Sequence, residues 1–184
     1  MKIIVFITLV CLSLNLEAQP LAYGNFKVAD QEIIYQKVSF HDGITLDKLG
    51  DYYVTLPYVT DFDASNEEIK FKVNDLVVDY KKFQFTQVAT PSIIQTGKYS
   101  GLVTVNVKDG KYRVTVTSIQ LTGDIGYKKI TDKDALTSYA CRNSGTSIAQ
   151  DWCKPNMLGL LDKAFTDKLE YVEKETKKED DGAW

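Results

Sequence analysis

Histidine, cysteine and clustered positive charge are scarce in this sequence. One histidine and three cysteines occur among 184 residues, and the formal net charge is −3. These residues do not form the Cys/His spacing of a zinc site, and no basic block is present of the kind that gives nucleic-acid binders their affinity. Signatures of nucleophilic catalysis, such as a Gly-x-Ser-x-Gly elbow, are missing as well. The sequence therefore predicts no metal, no cofactor and no nucleic-acid partner, and it favours a protein that is not an enzyme.

The N-terminal segment has the features of an export signal. Lys2 supplies the positive start, residues 3–14 form an apolar run, and Leu16-Glu17-Ala18 resembles a signal-peptidase site. A membrane-spanning helix needs roughly 20 apolar residues, so this run is too short to span a bilayer. We predict a signal peptide over 1–18, cleavage after Ala18, no membrane span, and a secreted or periplasmic protein.

Removal of the signal peptide takes away Cys11 and leaves Cys141 and Cys153. Thiols of exported proteins meet an oxidising compartment, so a disulfide between these two residues is the favoured interpretation. The chain-entropy treatment of a loop of this size gives about 3 kcal/mol of stabilisation. Two unreactive thiols are an open alternative. A redox-active pair is disfavoured because the spacing is not that of a Cys-x-x-Cys motif.

The clearest local structure is a β-hairpin formed by residues 102–108 and 111–117. Asp109-Gly110 between two alternating segments predicts a two-residue type I′ turn. That turn places Val105 opposite Val114 and Asn106 opposite Arg113, with one apolar and one polar face. The polar face is our candidate binding surface, and its central residues are Thr104, Asn106, Arg113 and Thr115.

A second hairpin is predicted near the mature N-terminus. Phe26 and Val28 precede a turn at 29–31, and Ile33 and Tyr35 follow it. Further along the same segment the apolar residues change from odd positions, Ile33 and Tyr35, to even positions, Val38 and Phe40. This change predicts a bulge or an end of pairing near 36–37.

Helices are predicted at two places in the chain. Thr45 is the expected N-cap of a short helix that continues through Tyr53. Apolar residues from Leu158 to Val172 recur at three- and four-residue steps, which predicts an amphipathic C-terminal helix. Residues 86–98 are expected to form a loop, and Asp132 to Asp134 is expected to begin a short helix. The predicted organisation is a signal peptide (1–18), a single α+β domain (19–173) and a charged tail (174–184).

Two stretches carry a resemblance to a known family. They are NFKVADQEIIYQKV at 25–38 and GLVTVNVKDGKYRVTVTSI at 101–119. Together with the order of predicted elements, they resemble a secreted Bacteroidetes domain-of-unknown-function family with a TATA-binding-protein-like fold. The resemblance implies a curved antiparallel sheet with helices packed on one face, in an exported, envelope-associated protein. It implies no catalytic residues, and a fold name by itself says nothing about DNA binding.

Two motifs suggest chemistry when taken alone. His41-Asp42 could form an acid/base pair, but a turn after a strand is the favoured explanation. Asp61-x-Asp63-x-Ser65 begins like a calcium-binding EF-hand loop, but the twelfth position is Lys72 where the loop requires a bidentate glutamate. We expect a turn at His41 and a solvated acidic turn before the strand at Ile69.

The sequence leaves three hypotheses about function. The favoured one is a non-enzymatic binding or accessory domain of the cell envelope, with an envelope protein or glycan as its partner. The alternatives are a hydrolase that uses His41 with nearby carboxylates, and a structural homo-oligomer joined through a sheet edge.

Overall fold

The computed structural model of the protein describes residues 20–173, so the predicted signal peptide and charged tail lie outside the described residues. The strands in this range are β1 (Ala22–Tyr23), β2 (Phe26–Ala29), β3 (Glu32–Phe40), β4 (Val59–Ala64), β5 (Ile69–Val77), β6 (Lys98–Lys108), β7 (Lys111–Asp124), β8 (Lys129–Ala135), β9 (Cys141–Arg142) and β10 (Ser147–Ile148). The helices in this range are α1 (Leu46–Tyr53), α2 (Ser92–Thr96), α3 (Thr137–Ala140) and α4 (Leu158–Leu169).

Strands β1 to β8 form one antiparallel sheet. Its order is β1-β2-β3-β7-β6-β5-β4, and β8 pairs with β7 beyond the end of β3. The pairing register shifts within four of the strand pairs, and β-bulges of this kind bend a strand and increase its twist. The predicted architecture, an α+β fold with a curved antiparallel sheet, is confirmed.

The helices α1 and α4 pack on the same face of this sheet. The Phe165 ring of α4 lies 5.3 Å from the Tyr35 ring of β3, and the Tyr53 ring of α1 lies 4.9 Å from the Phe71 ring of β5. These side chains belong to one hydrophobic core. The opposite face of the sheet, called the open face below, carries the side chains that alternate with the core residues along each strand.

The hairpin between β6 and β7 has the predicted register. Val105 pairs with Val114, and Asn106 pairs with Arg113. Asp109 and Gly110 have φ values of 52° and 70°, as a type I′ turn requires. The turn residues therefore determine which side chains of β6 and β7 face the core.

The first hairpin is also confirmed, with Val28 paired to Ile33 and the turn at Asp30-Gln31. Pairing between β2 and β3 ends at Tyr35, as predicted. The strand itself continues without a bulge, because β3 stays paired to β7 as far as Phe40. Because the strand stays regular, the side chains of Val38 and Phe40 point to the open face.

The helix α1 begins after Thr45, whose hydroxyl accepts a hydrogen bond from the Lys48 backbone N–H, so the predicted N-cap is confirmed. The C-terminal helix is shorter than predicted, because α4 ends at Leu169 and Val172 is exposed. No helix within residues 20–173 is long and apolar enough to cross a membrane.

Tyrosine hydroxyls donate hydrogen bonds to the backbone carbonyls at the C-terminal end of α4. A helix leaves its last carbonyls without partners inside the helix, and here side chains from α1 and the following loop supply donors. The hydroxyls of Tyr58, Tyr53 and Tyr52 donate to the carbonyls of Lys168, Leu169 and Glu170 at 2.6, 2.6 and 3.0 Å. These bonds connect the end of α4 directly to the α1 region.

Two local predictions were wrong. The segment 86–98 contains α2 and the first residue of β6, although it was expected to be a loop. Asp132 to Asp134 lies in β8, although it was expected to begin a helix; α3 follows only at Thr137. Pairing of β8 with β7 decides the conformation there, and this long-range contact overrides the local propensity.

Candidate functional site

The predicted polar surface lies on the open face of the sheet. Thr104 pairs with Thr115 and Asn106 pairs with Arg113 across β6 and β7, and each side chain is half-buried or exposed. The Arg113 guanidinium donates to the Asn106 side-chain oxygen at 3.2 Å. The structure therefore brings the four predicted residues together on one accessible surface, while their binding role stays a prediction.

The sequence-based reasoning missed two apolar residues on this face. Val38 pairs with Arg113, and Phe40 pairs with Lys111, at the edge formed by β3. Val38 is 51% exposed and Phe40 is 76% exposed. The available signal was that apolar residues of β3 change from odd to even positions after Tyr35, because a regular strand in a sheet covered on one face must expose one of the two sets.

Positively charged side chains lie next to these apolar side chains. The Lys111 ammonium lies 4.6 Å from the centre of the Phe40 ring, in a cation–π contact. Within residues 20–173, no carboxylate lies within 4.0 Å of the charged groups of Lys108, Lys111 or Arg113. We call this surface the hairpin-end patch and define it by Val38, Phe40, Lys108, Lys111 and Arg113.

A shallow recess of about 480 Å³ lies in the hairpin-end patch. Its wall includes Val38, Asn106, Asp109 and Arg113, so apolar, amide, carboxylate and guanidinium groups all reach the same space. Exposed apolar residues that occur singly are normal on protein surfaces. Here a valine and a phenylalanine stand two residues apart, next to three cations that have no carboxylate within 4.0 Å among the described residues. This combination is suited to binding an acidic segment that also carries apolar side chains.

The His41 region does not form an activated catalytic pair. The His41 Nε2 atom lies 4.0 Å from a Glu173 carboxylate oxygen, and the ring contacts the edge of the Tyr171 ring at 5.0 Å. Among the described residues, no hydroxyl or thiol hydrogen-bonds to the His41 ring. A recess of about 250 Å³ nearby is lined by Tyr52, Tyr171 and their neighbours. The predicted turn at His41 is present, because β3 ends at Phe40 and Gly43 follows with a φ of 67°.

The EF-hand-like segment is a strand and not a calcium loop. Asp61 and Asp63 lie in β4, and Ser65 to Glu68 forms the turn into β5. The Lys72 ammonium lies 2.7 Å from an Asp61 carboxylate oxygen, so a protein cation already neutralises the first acidic position. Within residues 20–173, no cluster of three or more His, Cys, Asp or Glu side chains could hold a metal ion.

Cys141 and Cys153 are separate thiols in the structure, so the predicted disulfide is not seen there and stays a prediction. Both side chains are half-buried, and burial raises the pKa of each thiol. The charge that Cys153 would carry raises the pKa of Cys141 further. Redox-active cysteines need a lowered pKa to supply a thiolate, so these environments disfavour a redox-active pair.

Comparisons with known proteins give similarities to solved structures alone: no family model matches the chain, and no curated protein does. A DUF4468 family protein from Bacteroides ovatus is 14% identical with a TM-score of 0.42, covering 78% of this chain and 82% of that chain. A TBP-like protein from Parabacteroides distasonis is 11% identical with a TM-score of 0.42, covering 79% of this chain and 97% of that chain. Both descriptions agree with the resemblance seen in the sequence, and no activity follows from similarities at this level.

Proposed function

We propose that the protein is exported and acts as a non-enzymatic binding domain of the cell envelope. The hairpin-end patch is the proposed contact surface, and its partner is an acidic segment of another envelope protein. One observation carries the proposal: Val38 and Phe40 are exposed side by side on the open face, next to three cations that have no carboxylate within 4.0 Å in the part of the chain that the structure describes. Export itself is supported by the sequence of residues 1–18.

The apolar part of the patch supplies the attraction. Burying a valine or phenylalanine side chain contributes about 1.5–3 kcal/mol relative to leaving it in water. Few residues carry most of the energy of a typical interface, and aromatic residues and arginine are enriched among them. Phe40 and Arg113 have these properties and both are accessible. A partner that covers Phe40 and pairs with Arg113 therefore gains from both contacts.

The charged part of the patch selects the partner. Lys108, Lys111 and Arg113 outnumber Asp109, the acidic residue that lines the same recess, so the end of this hairpin carries a net positive charge in a protein whose net charge is −3. Complementary charge speeds encounter and disfavours basic partners, and salt weakens both effects. We therefore expect an acidic partner whose binding weakens as ionic strength rises.

Affinity capture from the envelope fraction of the native host tests the proposal. The bait is the mature protein, and Phe40→Ser is the test variant. Val88→Ser is the matched control, because Val88 is 99% exposed in a loop outside the sheet. We expect an acidic envelope protein to be retained by the wild type and by Val88→Ser but lost with Phe40→Ser. Equal retention by all three baits contradicts the proposal.

The oligomeric state separates the proposal from self-association. Light scattering after size exclusion is expected to give a monomer at micromolar concentration. A dimer that dissociates with Phe40→Ser would show that a second copy occupies the hairpin-end patch, which contradicts an envelope partner there.

Export has two further consequences that chemistry can check. The protein recovered from its host should begin at Gln19, and a protein that retains Met1 contradicts the signal peptide. Alkylation without reductant should leave the mass unchanged if Cys141 and Cys153 are bonded. Two added alkyl groups would show two free thiols.

A further inference from the structure

A second concave surface lies away from the hairpin-end patch. It is formed by the turn between β7 and β8, the start of α2, and the segment that follows α3. Its volume is about 370 Å³, within the range of about 300–1,000 Å³ typical of small-molecule sites. No residue of the hairpin-end patch lines this cleft, so the two surfaces are independent.

Three aromatic side chains form part of the cleft wall. Tyr127, Tyr139 and Trp152 all line it, although they are distant from one another in the sequence. Trp152 is buried at the cleft wall and Tyr139 is half-buried, whereas Tyr127 is 87% exposed. An aromatic ring normally gains stability by packing. The Tyr127 ring buries almost none of its surface in this fold and is free to stack against a ligand.

An ion pair lines the cleft together with these rings. The Arg142 guanidinium is 3.4 Å from an Asp151 carboxylate oxygen, and both side chains are exposed. A guanidinium offers five N–H donors and a carboxylate accepts several hydrogen bonds, so each retains capacity for a ligand. Arg142 and Asp151 are the charged residues among those that line the cleft, and their charges cancel. The cleft therefore favours an uncharged ligand rich in hydroxyl groups.

We propose that this cleft binds a neutral oligosaccharide. A pyranose has an apolar face of C–H groups, which matches the exposed Tyr127 ring, and a rim of hydroxyls, which matches Arg142 and Asp151. Ser92 and Ser138 add hydroxyls at the wall. An acidic peptide is less suited to this surface, because the cleft carries no net positive charge.

The position of the cysteines is consistent with this assignment. Cys141 directly precedes Arg142, and Cys153 directly follows Trp152. The loop between the two cysteines therefore carries three lining residues, Arg142, Asp151 and Trp152. Closing that loop with a disulfide would restrict their relative positions before a ligand binds, which reduces the ordering cost of binding.

Tryptophan fluorescence gives a direct test, because the chain has two tryptophans. The substitution Trp184→Phe leaves Trp152 as the single reporter, located in the cleft wall. The probes are maltohexaose, cellohexaose, xylohexaose, mannohexaose and chitohexaose at millimolar concentration, with calorimetry on the same samples. We expect a saturable change with at least one of them. No fluorescence or calorimetric signal with any probe overturns the proposal.

Variants in the same background locate the binding. Tyr127→Ala should weaken the affinity about tenfold, equivalent to about 1.4 kcal/mol, whereas Tyr127→Phe should retain it because the ring makes the contact. Arg142→Ala should weaken binding, and Val88→Ala should leave it unchanged. Binding that Tyr127→Ala leaves at the wild-type value would assign the oligosaccharide to another surface and contradict the proposal.

Discussion

The buried hydroxyl of Tyr53 provides a quantitative test of how α4 is held in place. Tyr53 is fully buried, and its hydroxyl donates to the Leu169 carbonyl at 2.6 Å. Tyr53→Phe keeps the ring contacts and removes this donor from a site that water does not reach. Removing one partner of a buried hydrogen bond costs about 1–3 kcal/mol. For a domain of this size, each kcal/mol lowers the Tm by about 2–4 °C.

Urea unfolding followed by circular dichroism measures this cost. The midpoint should fall while the m-value is unchanged, since m depends on the surface exposed on unfolding. Tyr58→Phe should cost less, because the Tyr58 hydroxyl is partly accessible and water can replace it. Tyr127→Phe is the surface control and should change the free energy of unfolding by less than about 0.5 kcal/mol. A Tyr53→Phe variant as stable as this control would refute the reasoning.

Three further perturbations test other parts of the structure. Burial raises the pKa of Tyr99 well above its ordinary value of 10.0. Above about pH 10 the unfolded chain therefore loses a proton that the folded chain keeps. The free energy of unfolding then falls by about 1.4 kcal/mol per pH unit for such a phenol. Urea unfolding of the wild type and of Tyr99→Phe should therefore show a smaller loss of stability above pH 10 in the variant, and equal losses would contradict this reasoning. Calcium should leave the Tm unchanged in a thermal melt, because Lys72 already pairs with Asp61; a rise in Tm would show a calcium site. Gly110→Ala, at φ +70° with open space around it, should cost about 1–2 kcal/mol in urea unfolding. Gly145→Ala should cost more, because its added Cβ would lie 2.0 Å from a backbone oxygen of the first hairpin turn; equal costs would contradict the clash.

Hairpins and caps could be predicted because their causes are local. The Asp109-Gly110 turn and the alternation on either side of it specify the register of β6 and β7 within sixteen residues. The N-cap at Thr45 likewise depends on a hydrogen bond to Lys48, three residues away. In both cases, residues close in the sequence determine the local structure, namely the register of the hairpin and the start of the helix.

The incorrect or missing predictions depended on distant contacts. β8 forms where polar residues suggested a helix, because β7 provides a pairing partner. The hydroxyl donors at the end of α4 come from residues more than one hundred positions earlier in the chain. No sequence pattern predicts such contacts, since they depend on how the helix packs against the sheet.

In the candidate sites, too, features with local causes were predictable and features that depend on distant contacts were not. Thr104, Asn106, Arg113 and Thr115 share a face because strand alternation is a local rule, and this was predictable. The exposure of Phe40 was not predicted, because the strand could have bulged and turned that side chain inward. The aromatic cleft was not predicted either, since its rings come from separate segments that only the complete fold brings together.

The net charge of the chain is a poor guide to the open face. The whole sequence is acidic, yet the hairpin-end patch concentrates three cations beside an exposed phenylalanine. Composition excluded a large basic surface, but it could not show where the individual charges gather. The local charge therefore determines the class of partner that we expect.

A photoreactive phenylalanine analogue at position 40, used in living cells of the native host, tests the central claim most directly. The analogue keeps an aromatic ring at Phe40, and the same analogue at Val88 is the control. After illumination, we predict a covalent adduct with an acidic envelope protein from position 40 and none from position 88. Absence of an adduct at position 40, or the same adducts from both positions, would contradict the account.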